Sequence, residues 1–476
     1  LKAVVITHAH EDHIGAVGQV LKRLDVPVYG PAFAIELIRE KLAELSYQPK
    51  AGLNIVENEA RLKLGSFDIE FISVLHSIPD STALVIRTPD GMIMHTGDFR
   101  LDSSRTEEGF EAEKFKKLGD EGVSLLFSDS TNVQNRGVCI SEGEVAAELE
   151  QLISGWGGRV IVTMFASNVH RAARLGEIAK KTNRRICLVG RSLHTYLRVA
   201  RRSGYDPFPG DDLVDAKNLD LVQDRRLLIL VTGSQGEPRA ALAKMADSTH
   251  PHLFPKQTDM VVFSSRVIPG NELEISAIKI GLCRQGARVV TENSRPVHTS
   301  GHAYNEELAW MLEATRPDNF VPVHGEYRFL AEHGRLAEEL VDTNSIIMEN
   351  GDEIVLEHGT ARYSNTHVLE PWFVQGNHAG TAEEFKLSER RRLFYNGFAI
   401  VYLLKKRGKV KIDTMELLGI PELGGQLPEQ IKVDVDGTRL NDGDEDNGLE
   451  QLRIVVRRRI RKMTGQKPVV RLKLIS

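Results

Sequence analysis

Short apolar runs that end on polar loops and pass into stretches of helical spacing recur along most of the chain. Ala3-Val4-Val5-Ile6 has the composition of a buried strand, and from Ile14 onward Val17, Val20, Leu21 and Leu24 keep helical spacing. The six residues between them, HAHEDH from His8 to His13, therefore occupy a strand-to-helix loop. Three later runs stop in the same manner. Phe67 to Leu75 alternates like a strand and ends on His76; Met92 to Gly97 ends on Asp98, with Gly97 allowing close backbone approach; Phe320 to Val323 ends on His324.

The same alternation sets the domain organisation. A helix is predicted over Glu142 to Ile153, with Ser141 as N-cap and Glu144 as its capping-box partner. Three strand-loop-helix units follow: Arg159 to Phe165 into Ala172, Leu227 to Val231 into Arg239, and Met260 to Ser264 into Glu272. Strands alternating with helices predict an α/β fold with a mostly parallel sheet. Because His324 lies beyond this second unit, residues 141–306 are expected to be inserted into a first domain formed by 1–140 and 307–382. A polar linker over 383–393 then leads to a small α+β domain, 394–476, with strands at Phe398 to Leu404, Val410 to Asp413 and Val469 to Leu474 and a helix at Glu450 to Arg461. The acidic loop from Asp442 to Gly448 lacks the ligand spacing of a calcium loop and is assigned no metal.

Composition narrows the classes. A chain of 476 residues, 41% hydrophobic, is long enough for several cores, and no apolar stretch approaches a membrane span. Cys139, Cys187 and Cys283 are widely spaced and form no CxxC pair, which argues against a disulfide framework or a thiolate zinc site and fits a reducing cytoplasm. The net charge of −5 gives no global attraction to nucleic acid, so any such contact must be local. Two basic runs are available, one from Arg171 to Arg202 and one from Arg457 to Lys462.

The histidine-rich loops carry the chemistry. Neutral imidazoles and carboxylates are good zinc ligands, and side chains alternating along an extended turn can address two adjacent ions. Two such ions form a hydrolytic centre. His76, Asp98 and His324 each follow a strand directly, which is where open α/β sheets place their ligands.

Taken in order, HAHEDH, His76, HTGDF around Asp98 and VPVHGEYR around His324 resemble the metal motifs of the metallo-β-lactamase superfamily. FSDSTN with Asp129 and HTSGHA with His298 and His302 are similar to the further motifs of its β-CASP branch. The order TMFASNVHR, VTGSQGEP, FSSRVIPGNE and HTSGHA, with the C-terminal extension, resembles the ribonuclease J family over nearly the whole chain. The resemblance implies a metallo-β-lactamase αββα sandwich with an inserted β-CASP α/β domain and a small α+β C-terminal domain. It implies two Zn2+ per chain, one held by His8, His10 and His76, the other by Asp12, His13 and His324, with Asp98 bridging. Asp12 would also orient the nucleophile, His302 would protonate the leaving oxygen, and Asp129 would fix a metal-ligating histidine. The implied function is 5′-to-3′ exonuclease action on 5′-monophosphate RNA, with endonuclease activity, in RNA maturation and decay. Implied partners are single-stranded RNA and a second subunit, as homodimer or family hetero-oligomer, without a membrane. The family has further strands before the HxHxDH strand, so a chain opening at Leu1 is expected to be N-terminally truncated.

A 5′-phosphate anchor is expected where hydroxyls and helix N-terminal amides meet. Ser167 with Asn168, Ser234, Ser264 with Ser265, and Ser300 with Gly301 all follow strands, and Arg266, His298 and His302 lie beside them. Two other classes are compatible with the motifs. One is a small-molecule hydrolase, which needs no polymer channel; the other is a silent RNA-binding subunit, which needs no complete ligand set.

Overall fold

In a computed structural model that describes residues 1–102, 110–210, 213–440 and 445–475, the apolar runs of the first domain form two sheets. The larger has seven strands. Arg61–Leu64, Phe67–Ser73, Thr82–Thr88 and Gly91–His95 are successive antiparallel neighbours, and Leu125–Asp129, Asn319–Val323 and Asn344–Ser345 extend the sheet in parallel. Strand alternation sorts its side chains between two faces. Ile72, Val85, Met94, Leu126 and Phe320 pack with Phe115, Leu118, Leu308, Leu312 and Ala337 of the helices Ala112–Glu121, Asn305–Thr315 and Tyr327–Leu340. On the opposite face Ile69, Phe71 and Leu84 meet Val5 and Val56. Val5 belongs to the smaller, all-parallel sheet of Val4–Val5, Val28–Gly30 and Leu53–Ile55, which the helices Val17–Leu21 and Ala32–Glu44 cover through Leu21, Phe33 and Ile38. The layers run helix, sheet, sheet, helix, as an αββα sandwich requires.

The inserted unit is a five-stranded parallel sheet in the order Arg185–Val189, Leu227–Val231, Val160–Thr163, Met260–Phe263, Arg288–Thr291. Its residues divide between two cores, Val160, Val162, Leu228 and Leu230 on one side and Ile161, Leu227, Ile229 and Val231 on the other. Burial on both faces is why these strands read as unbroken apolar runs. The helix that opens the unit, Glu142–Ser154, starts at the expected capping box: Ser141 Oγ accepts the Glu144 N–H at 3.0 Å, and the Glu144 carboxylate accepts the Ser141 N–H at 2.8 Å. After the insertion, Asn319–Val323 pairs residue for residue with Leu125–Asp129, setting Val323 opposite Asp129. That register returns His324 to the loops that carry the other histidines.

Two compact units divide the chain, Leu1–Val368 and Leu369–Ser476. In the second, Phe398–Lys406 is the central strand, antiparallel to Lys409–Leu418 and parallel to Val469–Ile475. Leu427, Ile431, Val456 and Ile460 of the helices Gln426–Val435 and Glu445–Thr464 share its core with Ala399, Val401 and Leu403. Helix Gln426–Val435 has no counterpart in the sequence reading, which assigned no element between Asp413 and the acidic loop. Pro428 is tolerated because it sits in the first turn, where its missing N–H has no helical partner to lose. The polar stretch 383–393 carries the start of a helix, Leu387–Asn396. In the acidic loop, Asp442, Gly443 and Asp444 lie outside the described residues. All three cysteines are free, and no helix among the described residues is long and apolar enough to cross a membrane.

Candidate metal centre and substrate cleft

The strand ends of the first domain bring the singled-out histidines and aspartates to one place. His8, His10, His76 and Asp98 offer ligand atoms that all lie within 4.8 Å of one another, and Asp12, His13, Asp98 and His324 do the same. Asp98 belongs to both groups. In the first, His76 Nε2 is 2.9 Å from His10 Nδ1 and 3.8 Å from Asp98 Oδ2, and His8 Nε2 is 3.5 Å from Asp98 Oδ2. In the second, His13 Nε2 is 3.2 Å from Asp98 Oδ2, and His324 Nε2 is 3.2 Å from Asp12 and 3.6 Å from Asp98. Ligand atoms held about 2.0–2.2 Å from one tetrahedral ion stand about 3.3–3.6 Å apart, and the separations of 2.9–3.8 Å given above bracket that spacing.

Local backbone geometry makes this convergence possible. Gly97 has φ 59°, and a Cβ there would lie 2.6 Å from Thr82 O, so the turn that delivers Asp98 needs glycine. His324 adopts the same left-handed conformation, φ 59°, a strained state for a side-chain-bearing residue of the kind that clusters at functional sites. Thr131 steadies it: its hydroxyl is 2.8 Å from His324 Nδ1 and 2.7 Å from Asp129 Oδ1, receiving the imidazole N–H and giving its own hydrogen to the carboxylate. His76 is oriented likewise, donating from Nδ1 to Gly301 O at 2.5 Å. In His76 this leaves the Nε2 lone pair toward the cluster, the usual arrangement for a metal ligand, while His324 Nε2 faces Asp12 at 3.2 Å.

Electrostatics agree with occupancy by cations. Burial pushes His8 and His76 well below the ordinary imidazole range and His10 down to about 4, so all three are neutral donors at pH 7. His8 Nε2 is buried and has no hydrogen-bond partner among the described residues, a loss that a bound ion would make good. In the second group a hydrogen bond from His324 holds the Asp12 carboxyl well below the usual range. Although burial opposes charge on His324, Asp12 and Asp129 raise it to about 11. Two carboxylates facing imidazoles in a half-closed site call for positive charge.

His302 stands next to these groups with Nδ1 2.7 Å from Asp129 Oδ2 and 4.0 Å from Asp98. Burial disfavours its cation, but Asp129 outweighs burial and its pKa rises. Asp129 thus serves two rings, His302 through one oxygen and His324 through the other at 3.4 Å. His302, Asp129, Asp98 and His324 also lie close enough to form a ligand group of their own, so proton donor and metal ligand are the two roles open to His302.

The phosphate candidates separate into two sets. Arg266, His298 and Ser300 line one cleft of about 790 Å3, together with Arg136, Glu292 and Tyr304. Asn132 ties its wall together: its amide donates to Ser300 Oγ at 2.8 Å and His302 O at 3.1 Å, and its carbonyl oxygen accepts from Arg266 at 3.0 Å. Ser264, by contrast, is fully buried, its hydroxyl donating to Val297 O at 2.7 Å and accepting from Arg171 at 3.2 Å. It frames the cleft from behind and has no hydrogen left for a ligand. Asn168 is a buried N-cap accepting the Arg171 N–H, Ser234 and Ser265 are buried, and half-buried Ser167 precedes the cap; none of the four lines this cleft. Gly301 acts on the metal side, through His76, and a Cβ there would lie 2.8 Å from the His76 ring.

Sequence reasoning missed the residues behind the site. Thr131 and Asn132 lie within FSDSTN and Arg171 closes TMFASNVHR, but the motifs do not show which atoms these side chains hold. The Arg171–Arg202 run is largely paired: Arg198 and Arg202 with Glu40, Arg174 with Glu177, Lys181 with Glu150, Arg201 with Asp206. Arg184 is buried against the carbonyls of Ile153, Trp156, Gly158 and Leu227. The excess charge read from the sequence is therefore partly matched by acids outside the run, Glu40, Glu142, Glu150 and Asp206.

Comparison with known proteins agrees with the geometry. Residues 1–134 match the metallo-beta-lactamase superfamily, 157–280 the ribonuclease J beta-CASP domain, and 286–348 the Zn-dependent metallo-hydrolase RNA specificity domain. Ribonuclease J of Mycolicibacterium smegmatis is 38% identical over 86% of this chain and 73% of the relative. The chain belongs to the ribonuclease J family. Ribonuclease J of Synechocystis sp. is 39% identical over 89% of the chain, which spans 66% of that relative's length, and ribonuclease J 1 of Streptococcus pyogenes is 35% identical over 89% of the chain and 75% of the relative. A crystal structure of a protein of unknown function from Enterococcus faecalis V583 shares the fold, with TM-score 0.53 and 17% identity over 76% of this chain and 81% of that one. Membership in the ribonuclease J family accounts for a metallo-hydrolase sandwich and an inserted β-CASP unit in one chain.

Proposed function

We propose that the chain is the catalytic part of a zinc-dependent ribonuclease that degrades single-stranded RNA from 5′-monophosphate ends in the 5′-to-3′ direction and also cuts internally. The observation that carries this reading is the pair of ligand groups sharing Asp98, set beside the Asp129–His302 pair and the cleft lined by Arg266, His298 and Ser300. His8, His10 and His76 would hold one Zn2+, Asp12, His13 and His324 the other, with Asp98 between them. A nitrogen-rich set with few oxygens favours zinc over magnesium or calcium. When bound, the ions supply Lewis acidity and a lowered pKa for the attacking water.

The chain's own residues supply the rest. Asp12, exposed at the mouth of the site, orients the water by accepting its hydrogen bond. His302 carries the proton for the leaving 3′ oxygen, and Asp129 stabilises its protonated ring through Nδ1, leaving Nε2 for the substrate. Arg266, Ser300 and His298 receive the terminal phosphate. Arg295, which also lines the cleft, is held by Glu148, and Glu292 adds negative charge, so the cationic density suits a monophosphate better than a triphosphate. In domain terms 1–140 with 307–382 carries the metals, 141–306 the cleft, 383–393 the link, and 394–476 the C-terminal module. Cytoplasmic location and assembly as a dimer or hetero-oligomer are part of the same reading.

The test is degradation of one RNA carrying different 5′ groups, end-labelled, at fixed salt, with chelated and zinc-restored protein. Fast loss of the 5′-monophosphate form that depends on zinc is expected. Equal rates on both ends, or turnover after exhaustive chelation, would count against the reading.

A further inference from the structure

His298 lines the cleft, and the residue behind it is an arginine only 1% exposed. Arg171 donates from Nε and Nη2 to the Glu142 carboxylate at 3.3 and 2.8 Å, and from Nη1 to Ser264 O at 3.0 Å, Ser264 Oγ at 3.2 Å and His298 Nδ1 at 2.9 Å. A guanidinium has donors only and does not lose its proton. His298 Nδ1 must therefore meet it with a lone pair, and the ring's one hydrogen is on Nε2. Among the described residues Nε2 has no hydrogen-bond partner.

We propose that Arg171 is a positioning residue that fixes His298 as the Nε2–H tautomer, so that the ring offers the cleft a neutral hydrogen-bond donor for the terminal phosphate of the substrate. This deepens the functional reading above and rests on it for the identity of the ligand, though not for the tautomer. The contrast with Arg184 supports a role beyond packing. Arg184, also buried, spends its donors on four backbone carbonyls. Arg171 gives one donor to an imidazole whose opposite nitrogen is left for the cleft.

The surroundings keep this state in place. The charged groups acting on His298 are Arg171 from helix Val169–Lys181, Glu142 from helix Glu142–Ser154, Arg100 from the loop after Asp98, and Arg266 from the loop after Met260–Phe263. Glu142 balances Arg171 and is approached by Arg100 at 3.7 Å, and Arg100 is itself paired with Asp102 at 3.0 Å. Asp102 also accepts the Glu142 N–H at 2.9 Å. Burial and the Arg171 charge together hold His298 down at about 3, so the ring carries no charge near neutral pH.

Long-range proton–nitrogen NMR on 15N-histidine protein tests the tautomer directly, with the His298 signals identified by their loss in His298→Asn. A bare Nδ1 and a protonated Nε2, constant from about pH 6 to 8, are expected. A protonated Nδ1, or titration within that range, would overturn the proposal. Kinetics on 5′-monophosphate RNA give the functional arm. Asparagine retains an acceptor for Arg171 but places no donor where Nε2 stood, whereas glutamine can reach that position. His298→Asn should raise KM about tenfold, more than it lowers kcat, and His298→Gln should recover part of the loss. Equal losses in both would refute the donor role. Arg171→Met should let His298 titrate closer to its ordinary range; where that variant does not fold, the wild-type spectrum decides. A bare Nδ1 together with no dependence on the 5′ group would retain the tautomer and refute the functional reading.

Discussion

Around the candidate metal ligands, more imidazoles converge than the carboxylate they share can pair. His8 Nε2 is buried and has no hydrogen-bond partner among the described residues, and five imidazoles approach the single Asp98 carboxylate within 4.0 Å. Behind the cleft wall the groups are better matched. Arg171, Glu142, Ser264, Arg100 and Asp102 form a set in which charge is balanced and, Arg100 Nε aside, donors meet acceptors. Unsatisfied buried groups are costly, so the first arrangement is incomplete without ions. A satisfied network holds its geometry on its own. The candidate metal centre is thus shaped to be filled, and the network behind the cleft to hold still the groups that face it, His298 Nε2 and the exposed Arg266, which Asn132 ties at 3.0 Å.

The comparison breaks most visibly at Asp98. Asp98→Ala removes the carboxylate common to both ligand groups, and RNA cleavage should fall on the order of a thousandfold or more, with bound metal lost; assay of turnover and metal content checks both. His302→Ala should slow cleavage roughly a hundredfold while metal content stays at the wild-type level, as expected of a proton donor. Metal loss in that variant would make His302 a ligand. At the other end, Arg266→Ala should reduce the preference for 5′-monophosphate over 5′-triphosphate RNA about tenfold, read from rates on the two substrates. Ser264→Ala should lower stability by about 1 kcal/mol in a denaturant titration and leave the end preference intact, because its hydroxyl faces the protein. Smallest of all, Arg198→Ala should change RNA affinity less than about twofold, since exposed pairs such as Arg198–Glu40 contribute little and that cation is already engaged.

Much of this was legible before any coordinates. Strand ends at His8, His76, Asp98 and His324, the capping box at Ser141 and the inserted parallel sheet all follow from local periodicity and local chemistry. What local pattern does not contain is who faces whom. The basic run from Arg171 looked like free charge because its acids, Glu40, Glu142 and Glu150, lie far away in sequence. Ser264 looked like an anion contact because a hydroxyl after a strand has the same signature whether it points outward or, as here, inward to Val297. Helix Gln426–Val435 was hidden by a proline whose position within the first turn cannot be told from spacing. The contact of Gly301 with His76 joins residues far apart in sequence and has no local signature.

The most direct test of the two-ion account is a zinc titration of chelated protein, following nucleotide release from one 5′-monophosphate RNA. Two ligand groups sharing Asp98 predict that activity stays near zero until the sites fill and reaches its plateau at two equivalents per chain. Full activity at one equivalent, or with none, would contradict it.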